Sequence, residues 1–316
     1  MVAKVFIDGE AGTTGLQIRE RLAGRRDLEV LSIALDKRKD IDERKRLLNA
    51  ADVAILCLPD DAAKESVALI ENERTRIIDA STAHRVAEGW AYGFAEMDPR
   101  QPALIAAARR VANPGCWPQG AIATLRPLIE GGLLPADYPV SVHGISGYSG
   151  GGKAMIADYE QAGAGANPFM LYGLTFKHKH LPELQRFALL THSPLFSPAV
   201  GDFAQGMVTV VPLQLWTLDK IPTGRDLHAA ISDHFAAIRG GFVSVAPYAE
   251  EERSAELNPE RFNNTNSMRL HVFANDARAQ ASLVAVYDNL GKGASGAAVQ
   301  NLNLMLGVPA DTSLSA

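Results

Sequence analysis

The sequence predicts an α/β protein. A doubly wound parallel sheet of Rossmann type fills the first third, and an α+β domain on a mixed sheet follows. A C-terminal helix then returns to the first domain. Three observations carry this expectation. Short apolar runs alternate with helix-like stretches as far as residue 112. Three glycines fall between the first apolar run and the first amphipathic stretch. Beyond residue 113 the apolar runs alternate more and are irregularly spaced.

Taken in order, "VAKVFI" reads as a strand, and "GLQIRERLAG" as a helix with Leu16, Arg19 and Leu22 at helical spacing and a glycine at its end. "LEVLSIAL", "ADVAILCLP", "TRIIDAS" and "PALIAAARRVAN" supply the second to fifth strands. Near-continuous apolar runs suit strands covered on both faces by helices. A boundary at Asn113 separates a dinucleotide-binding domain, 1–112, from a catalytic and oligomerisation domain, 113–290. In the latter, "YPVSVHGIS", "GMVTVVPLQLW", "GFVSVAPY", "SMRLHVFAND" and "ASLVAVYDNL" are the strands of the mixed sheet. "GASGAAVQNLNLMLG" is rich in small residues and apolar at helical spacing, a closing helix over about 293–306 that completes the first domain.

Composition narrows the function. A chain of 316 residues suits two domains, and 47% hydrophobic with 21% charged residues is ordinary for a soluble protein. Thirty-one basic against 36 acidic residues give a formal charge of −5, which argues against a nucleic-acid binder. The run "DKRKDIDERKR" mixes both signs and reads as a solvated face. No apolar run approaches the ~20 residues that span a bilayer, and the N-terminus reads as strand and turn rather than signal peptide. Two cysteines make no disulfide framework. The expectation is a cytoplasmic protein with reduced thiols, no metal and a small-molecule substrate.

"VFIDGEAGTTGLQI" places Gly9, Gly12 and Gly15 between a strand and a helix. The spacing is GxxGxxG rather than GxGxxG, but the physical logic carries over. Glycines permit a tight turn and close backbone approach, and free N–H groups at the helix start, at Thr13, Thr14 and Gly15, hold a pyrophosphate. After the second strand, Ser32, Lys37, Arg38 and Lys39 outnumber Asp36, which favours the 2′-phosphate of NADP over the bare ribose of NAD. The competing reading leaves these cations solvated.

"NPGCWPQG" frames Cys116 with chain-turning residues. Pro118 suits the first turn of a helix running through "QGAIATLR", and Pro127 should kink or end it. Cys116 at that helix's start would gain N–H groups that stabilise a thiolate and an oxyanion. From the local motif, a nucleophile and a thiol in a tight loop remain open alternatives. Cys57, inside "ADVAILCLPD", reads as an inert core thiol. A nucleophilic cysteine needs a base. Of eight histidines, His178 and His180 in "FKHKHLPEL" sit at an element boundary, whereas His234 and His271 lie in periodic segments. His84 and His143 adjoin other candidate loops.

These motifs occur in one order: the glycine turn, "NPGCWP", "SGYSGGGK", "HKHLPE" and "DNLGKGASGAAVQNLNLM". Together they resemble the N-acetyl-gamma-glutamyl-phosphate reductase family, in its shorter form, over Val2 to about Leu306. That family is related to aspartate-semialdehyde dehydrogenase. The resemblance implies NADPH-dependent reduction of an acyl phosphate in arginine biosynthesis, with Cys116 as nucleophile and His180 as acid/base. It further implies substrate contacts from Arg85, Asn113, His178 and Ser146. Besides the glycine turn with Ser32, Arg38 and Lys39, Ser81 of "DASTAHR" and Asn289 and Gly293 beside the nicotinamide would serve the cofactor. The family's second domain implies a homo-oligomer, dimer or tetramer. The alternatives are another acyl-phosphate reductase such as aspartate-semialdehyde dehydrogenase, a non-catalytic dinucleotide-binding redox sensor, and a cysteine hydrolase that binds no nicotinamide.

Overall fold

In the computed structural model, which describes residues 2–248 and 254–316, the first sheet grows from strand β1 (Ala3–Asp8). Helix α1 (Thr13–Leu22), β2 (Leu28–Leu31), α2 (Ile41–Ala50), β3 (Val53–Leu56), α3 (Asp60–Ala68), β4 (Arg76–Asp79), β5 (Ala91–Tyr92), α4 (Gln101–Ala107) and β6 (Arg110–Ala112) follow. The strand order is β2-β1-β3-β4-β6-β5, and every pairing is parallel. The predicted doubly wound sheet is therefore present.

The period-2 alternation of strands explains why both faces are covered. Val5 and Ile7 of β1, Val53 and Ile55 of β3 and Ile78 of β4 join one core with Ile18 and Leu22 of α1. Phe6, Ala54, Leu56 and Ile77 point the other way, into a core with Leu47, Leu48 and Ala63 of α2 and α3. The last helix, α9 (Gly296–Leu306), belongs to this unit and puts Ala298, Val299, Leu302 and Met305 into the first core. It is buried nearly all round. Asn303, one of its buried polar residues, donates to Ala310 O and Thr312 O and accepts from Arg25.

The second compact unit comprises residues 96–99 and 116–293. It contains α5 (Cys116–Glu130), β7 (Ser141–Gly147), α6 (Gly152–Ala162), β8 (Phe169–Leu171), α7 (Leu181–Phe187), β9 (Leu195–Gly201), β10 (Met207–Gln214), α8 (Gly224–Ala236), β11 (Val243–Val245), β12 (Met268–Asn275) and β13 (Gln280–Tyr287). Seven strands run in the order β11-β12-β13-β10-β7-β9-β8. The β11–β12 and β7–β9 pairs are parallel and the others antiparallel, so the sheet is mixed as expected. Helix α5 packs on β10 and β13, with α7 and α8 beside it.

Several local expectations give way. "PALIAAARRVAN" is not one strand: α4 occupies its first part and β6 only Arg110–Ala112. Pro102 at the helix start and the alanine content favour the helix. Helix α5 starts at Cys116 itself and runs through Pro127 to Glu130, because its apolar length is buried and that packing outweighs one lost hydrogen bond. The edge strand β8, β9 and the two-residue β5 were not anticipated. The run "DKRKDIDERKR" is not wholly a solvated face. Arg44 is buried, its Nη2 3.1 Å from Asp8 Oδ2 and 2.6 Å from Ser66 Oγ, and its Nη1 3.0 Å from Glu65.

Candidate active site

The glycine turn follows β1 at the point where the strand order reverses, the usual crevice for ligands in such sheets. Gly9 has φ of +91°, and a side chain there would run into Cys57 O. A Cβ on Gly15 would lie 2.6 Å from Gly9 O. These two glycines fold the turn onto itself. Gly12 is different: its nearest neighbour would be 3.4 Å away, and it stands at the N-cap of α1 with no side-chain cap. The first helical bond is Leu16 N–H to Gly12 O at 2.9 Å, so the N–H groups of Thr13, Thr14 and Gly15 precede it. No acid stands in the first turn. An uncapped helix start behind a glycine elbow fits a pyrophosphate.

Beside the turn lies a cavity of about 380 Å³ lined by Asp8, Gly9, Glu10, Arg38, Lys39 and Arg44, among others. Arg38 reaches Glu10 at 3.6 Å, and Glu10 also pairs with Arg19 at 2.7 Å. Arg38 and Lys39 are thus among the cavity's lining residues, together with the carboxylates of Asp8, Glu10 and Glu65. Ser32 and Lys37 are exposed and do not line the cavity.

In the same unit, β4 ends at Asp79, which is fully buried. Its carboxylate accepts from Ser81 N at 2.9 Å and Ser81 Oγ at 2.7 Å, and lies 2.6 Å from His84 Nδ1. His84 stacks on Trp90, with centroids 4.1 Å apart. The sequence singled out no partner for His84; the structure supplies Asp79, five residues away. Arg85 is buried, and it donates from Nε to Asn113 O at 3.2 Å and from Nη2 to Ala80 O at 3.3 Å. Asn113 in turn donates to Ala294 O and accepts from Asn301. Arg85 and Asn113 are thus brought together. Burial, reinforced by the Asp79 and Asp8 carboxylates, pushes the Cys57 thiol up to about 12.

In the second unit, Cys116 is the first residue of α5. Its carbonyl accepts from the Tyr287 hydroxyl at 2.7 Å. That hydroxyl also lies 3.1 Å from Thr209 Oγ1 and accepts from Gly120 N at 3.2 Å. Burial holds the Tyr287 phenol protonated far above neutral pH. Gln119 donates to Lys292 O at 2.7 Å, and a Cβ on Gly293 would lie 3.0 Å from Cys116 Cβ. Gly293 therefore forms the wall against the thiol's own carbon.

The next residue leads to the histidines. Trp117 Nε1 donates to Tyr172 OH at 2.9 Å, and its ring meets Phe196 edge-on at 5.5 Å. Tyr172 and Phe196 both pack on His178, at 5.7 and 5.1 Å. His178 crosses His180 at 4.7 Å, and its Nδ1 accepts from His180 N at 3.2 Å. Burial also raises the Tyr172 phenol, and the charge of Cys116 adds to the effect. His180 is buried just ahead of α7. Helix start, aromatic bridge and histidine pair thus form one cluster.

Ser146, Asn289 and His143 also lie in the second unit. Ser146 is buried on β7 and donates to the adjacent Gly147 O at 3.3 Å. Asn289 accepts from Gly206 N at 2.7 Å and donates to Ser149 Oγ at 3.0 Å, so both ends of its amide serve loop packing. His143 is exposed. Tyr287, Gln119, Glu96 and Lys292 were not singled out from the sequence. Only Lys292, a charged residue inside a glycine-rich motif, gave any signal. Among the described residues no group of three or more acids, histidines or cysteines could hold a metal, and no helix is long and apolar enough to cross a membrane.

Residues 4–105 match the family described as semialdehyde dehydrogenase, NAD binding domain, and residues 116–289 match semialdehyde dehydrogenase, dimerisation domain. The chain is 68% identical over 308 residues to N-acetyl-gamma-glutamyl-phosphate reductase of Mesorhizobium japonicum, covering 98% of this chain and 100% of the relative. It is 53% identical over 320 residues to N-acetyl-gamma-glutamyl-phosphate reductase 2 of a Nostoc species, covering 98% and 99%. Among solved structures, aspartate semialdehyde dehydrogenase II of Vibrio cholerae, complexed with ASA, superposes with a TM-score of 0.69 at 14% identity, covering 97% and 99%. Aspartate semialdehyde dehydrogenase with NADP from Candida albicans gives 0.66 at 12%, covering 98% and 99%. At those identities the likeness is one of fold.

Proposed function

The chain belongs to the N-acetyl-gamma-glutamyl-phosphate reductase family, and from that premise we infer that it reduces N-acetyl-L-glutamyl 5-phosphate to N-acetyl-L-glutamate 5-semialdehyde and phosphate, a step of arginine biosynthesis. Its cofactor is NADP(H). The observation that carries the reading at the site is Cys116 at the first position of α5, with the His178–His180 pair reached through Trp117, Tyr172 and Phe196.

The Cys116 thiolate attacks the acyl carbon. A C–S bond forms, the C–O bond to phosphate breaks, and phosphate leaves with the electron pair. This leaves a thioester on the protein and splits one difficult substitution into two easier steps. N–H groups of the first turn of α5 face the developing oxyanion. NADPH, when bound, supplies the hydride that reduces the thioester carbon. His180 donates a proton to the resulting oxygen and takes it back as the aldehyde departs and the thiolate is regenerated. His178 orients His180 through the ring contact and contacts substrate. Arg85, its plane fixed by Asn113 O and Ala80 O, is the cation for the substrate phosphate. Thr13, Thr14 and Gly15 hold the pyrophosphate, and Arg38 with Lys39 the 2′-phosphate. Ser81 and Asn289 act by shaping their loops, given their intramolecular bonds.

We read the active form as a homo-oligomer, dimer or tetramer, in the cytoplasm. The dimerisation-domain match supports the first point, as do the exposed Phe169, Leu171, Leu174, Phe176 and Leu195 on and beside edge strand β8. The reverse reaction tests the function. N-acetylglutamate 5-semialdehyde, phosphate and NADP⁺ should give reduced cofactor, seen by absorbance, with an absolute requirement for phosphate and for Cys116. Faster turnover of aspartate semialdehyde, or none of either, would overturn the assignment.

A further inference from the structure

Lys292 and Glu96 form an ion pair at 2.6 Å with both side chains 1% exposed. The second carboxylate oxygen, Glu96 Oε1, accepts from Phe242 N at 2.9 Å, and the Lys292 ammonium lies 5.8 Å over the Phe242 ring. Gly241 has no room for a side chain, because a Cβ would stand 2.8 Å from Glu96 Cγ. Desolvation works against the charged lysine, and Glu96 opposes that effect. A pair so deeply buried contributes little to stability, and apolar replacements of such pairs are often neutral or stabilising. Its retention asks for another reason.

The location gives one. Lys292 sits in a π-helical turn over 291–295, a rare conformation often found at functional sites. The Lys292 carbonyl accepts from Gln119, one turn along α5 from Cys116. The next residue, Gly293, is the wall against Cys116 Cβ. On the other side, Gly291 is packed so closely on Thr265 O that no side chain would fit, and Gly293 N–H bonds Asp288 O at 2.8 Å. The turn is thus held at Gly293 by a backbone bond and at Lys292 by Gln119 and by the side chain that reaches Glu96, 196 residues away.

We propose that Glu96 and Lys292 are positioning residues for Cys116: the buried ion pair holds the 291–293 turn against the start of α5 and so fixes the rotamer from which the thiol reacts. The proposal rests on the reading of Cys116 as the nucleophile. Neither residue touches the reacting atoms; both act through Gly293 and Gln119. Misplacing a reacting group by about 1 Å can cost ~10²-fold in rate, and that is the size of effect expected.

The test is the paired variant Glu96→Gln with Lys292→Met, which removes both charges and keeps an acceptor for Phe242 N–H. A single Lys292→Met would strand a buried carboxylate and confuse folding with chemistry. The paired variant should keep its urea midpoint and its NADPH affinity. The value of kcat should fall ~10²-fold and alkylation of Cys116 by iodoacetamide should slow as access to the thiol changes, with KM for the acyl phosphate little changed. Parent-level alkylation and kcat in the folded paired variant overturn the proposal. Should that variant not fold, Glu96→Asp decides: it retains both charges but draws the turn back by one methylene. Slower alkylation of Cys116 in it supports the pair as a positioning device, and parent-level alkylation overturns it. Cys116→Ser is the control for the premise. Full turnover in Cys116→Ser would sink the nucleophile, while the alkylation measurements still report on the ion pair.

Discussion

Tyr287→Phe is the sharpest probe of how Cys116 is held. It removes one oxygen and leaves the ring, which is fully buried, in place. That oxygen serves Cys116 O, Thr209 Oγ1 and Gly120 N. Cys116 O and Gly120 N–H are four residues apart in a helix and can satisfy one another, so they lose least. Thr209, 1% exposed, is left with a hydroxyl facing an apolar ring edge. One net hydrogen bond is worth about 1 kcal/mol, and stranding a buried polar group costs about 1–3 kcal/mol. The expected loss is about 2 kcal/mol, or roughly 4–8 °C in melting temperature for a unit of this size. Urea unfolding followed by tryptophan fluorescence reads it directly, since Trp117 and Trp216 both lie in this unit. Burial keeps the phenol protonated through the working pH range, so Tyr287 donates a hydrogen bond and never acts as a base. The pH profile of kcat should therefore be the same in Tyr287→Phe. An unchanged urea midpoint would refute the hydrogen-bond argument, and a shifted pH profile would refute the structural role.

Iodoacetamide at neutral pH should label Cys116 and inactivate the protein while Cys57 stays unmodified. A thiol pushed up to about 12 holds almost no thiolate there, so Cys57 labelling should rise only as pH approaches 12, as peptide mass spectrometry can follow. Replacing Arg38 and Lys39 by alanine should weaken NADPH binding far more than NADH binding, and equal weakening would mean that the cavity does not take the 2′-phosphate. His180→Asn should lower kcat by ~10²–10⁴-fold with NADPH affinity intact. His178→Asn should raise KM more than it lowers kcat, and the reverse pattern would swap the two roles.

What could be read in the sequence was what is local. The turn at Gly9, Gly12 and Gly15 announces itself because strand, elbow and helix are contiguous. Cys116 and the histidines of "HKHLPE" stood out because short-range turn chemistry frames them. The unread part is long-range. Arg44 looked like a solvated cation in a mixed-charge run, and only the fold brings Asp8, 36 residues away, beside it. Tyr287 closes the alternating run of β13 like any core aromatic, and its bond to Cys116 O spans 171 residues. Glu96 lies in "GFAEMD", which carries no pattern at all. Pro127 misled for the same reason: tertiary burial of α5 overrode a local breaker signal.

The first unit is discontinuous in the chain: it needs residues 294–315, whose α9 completes the core under β4 and α4. During translation its first 115 residues therefore emerge with an apolar face uncovered, and must wait while residues 116–293 are made. At ~5–20 residues per second that interval is roughly 10–40 s. Until α9 is made, Ile78, Ile105 and Val111 lack the core partners that Ala298, Val299, Leu302 and Met305 supply in the folded unit. A ribosome stalled between residues 117 and 293 holds a polypeptide that already contains the glycine turn and Cys116, yet lacks the helix that completes the core of the first unit.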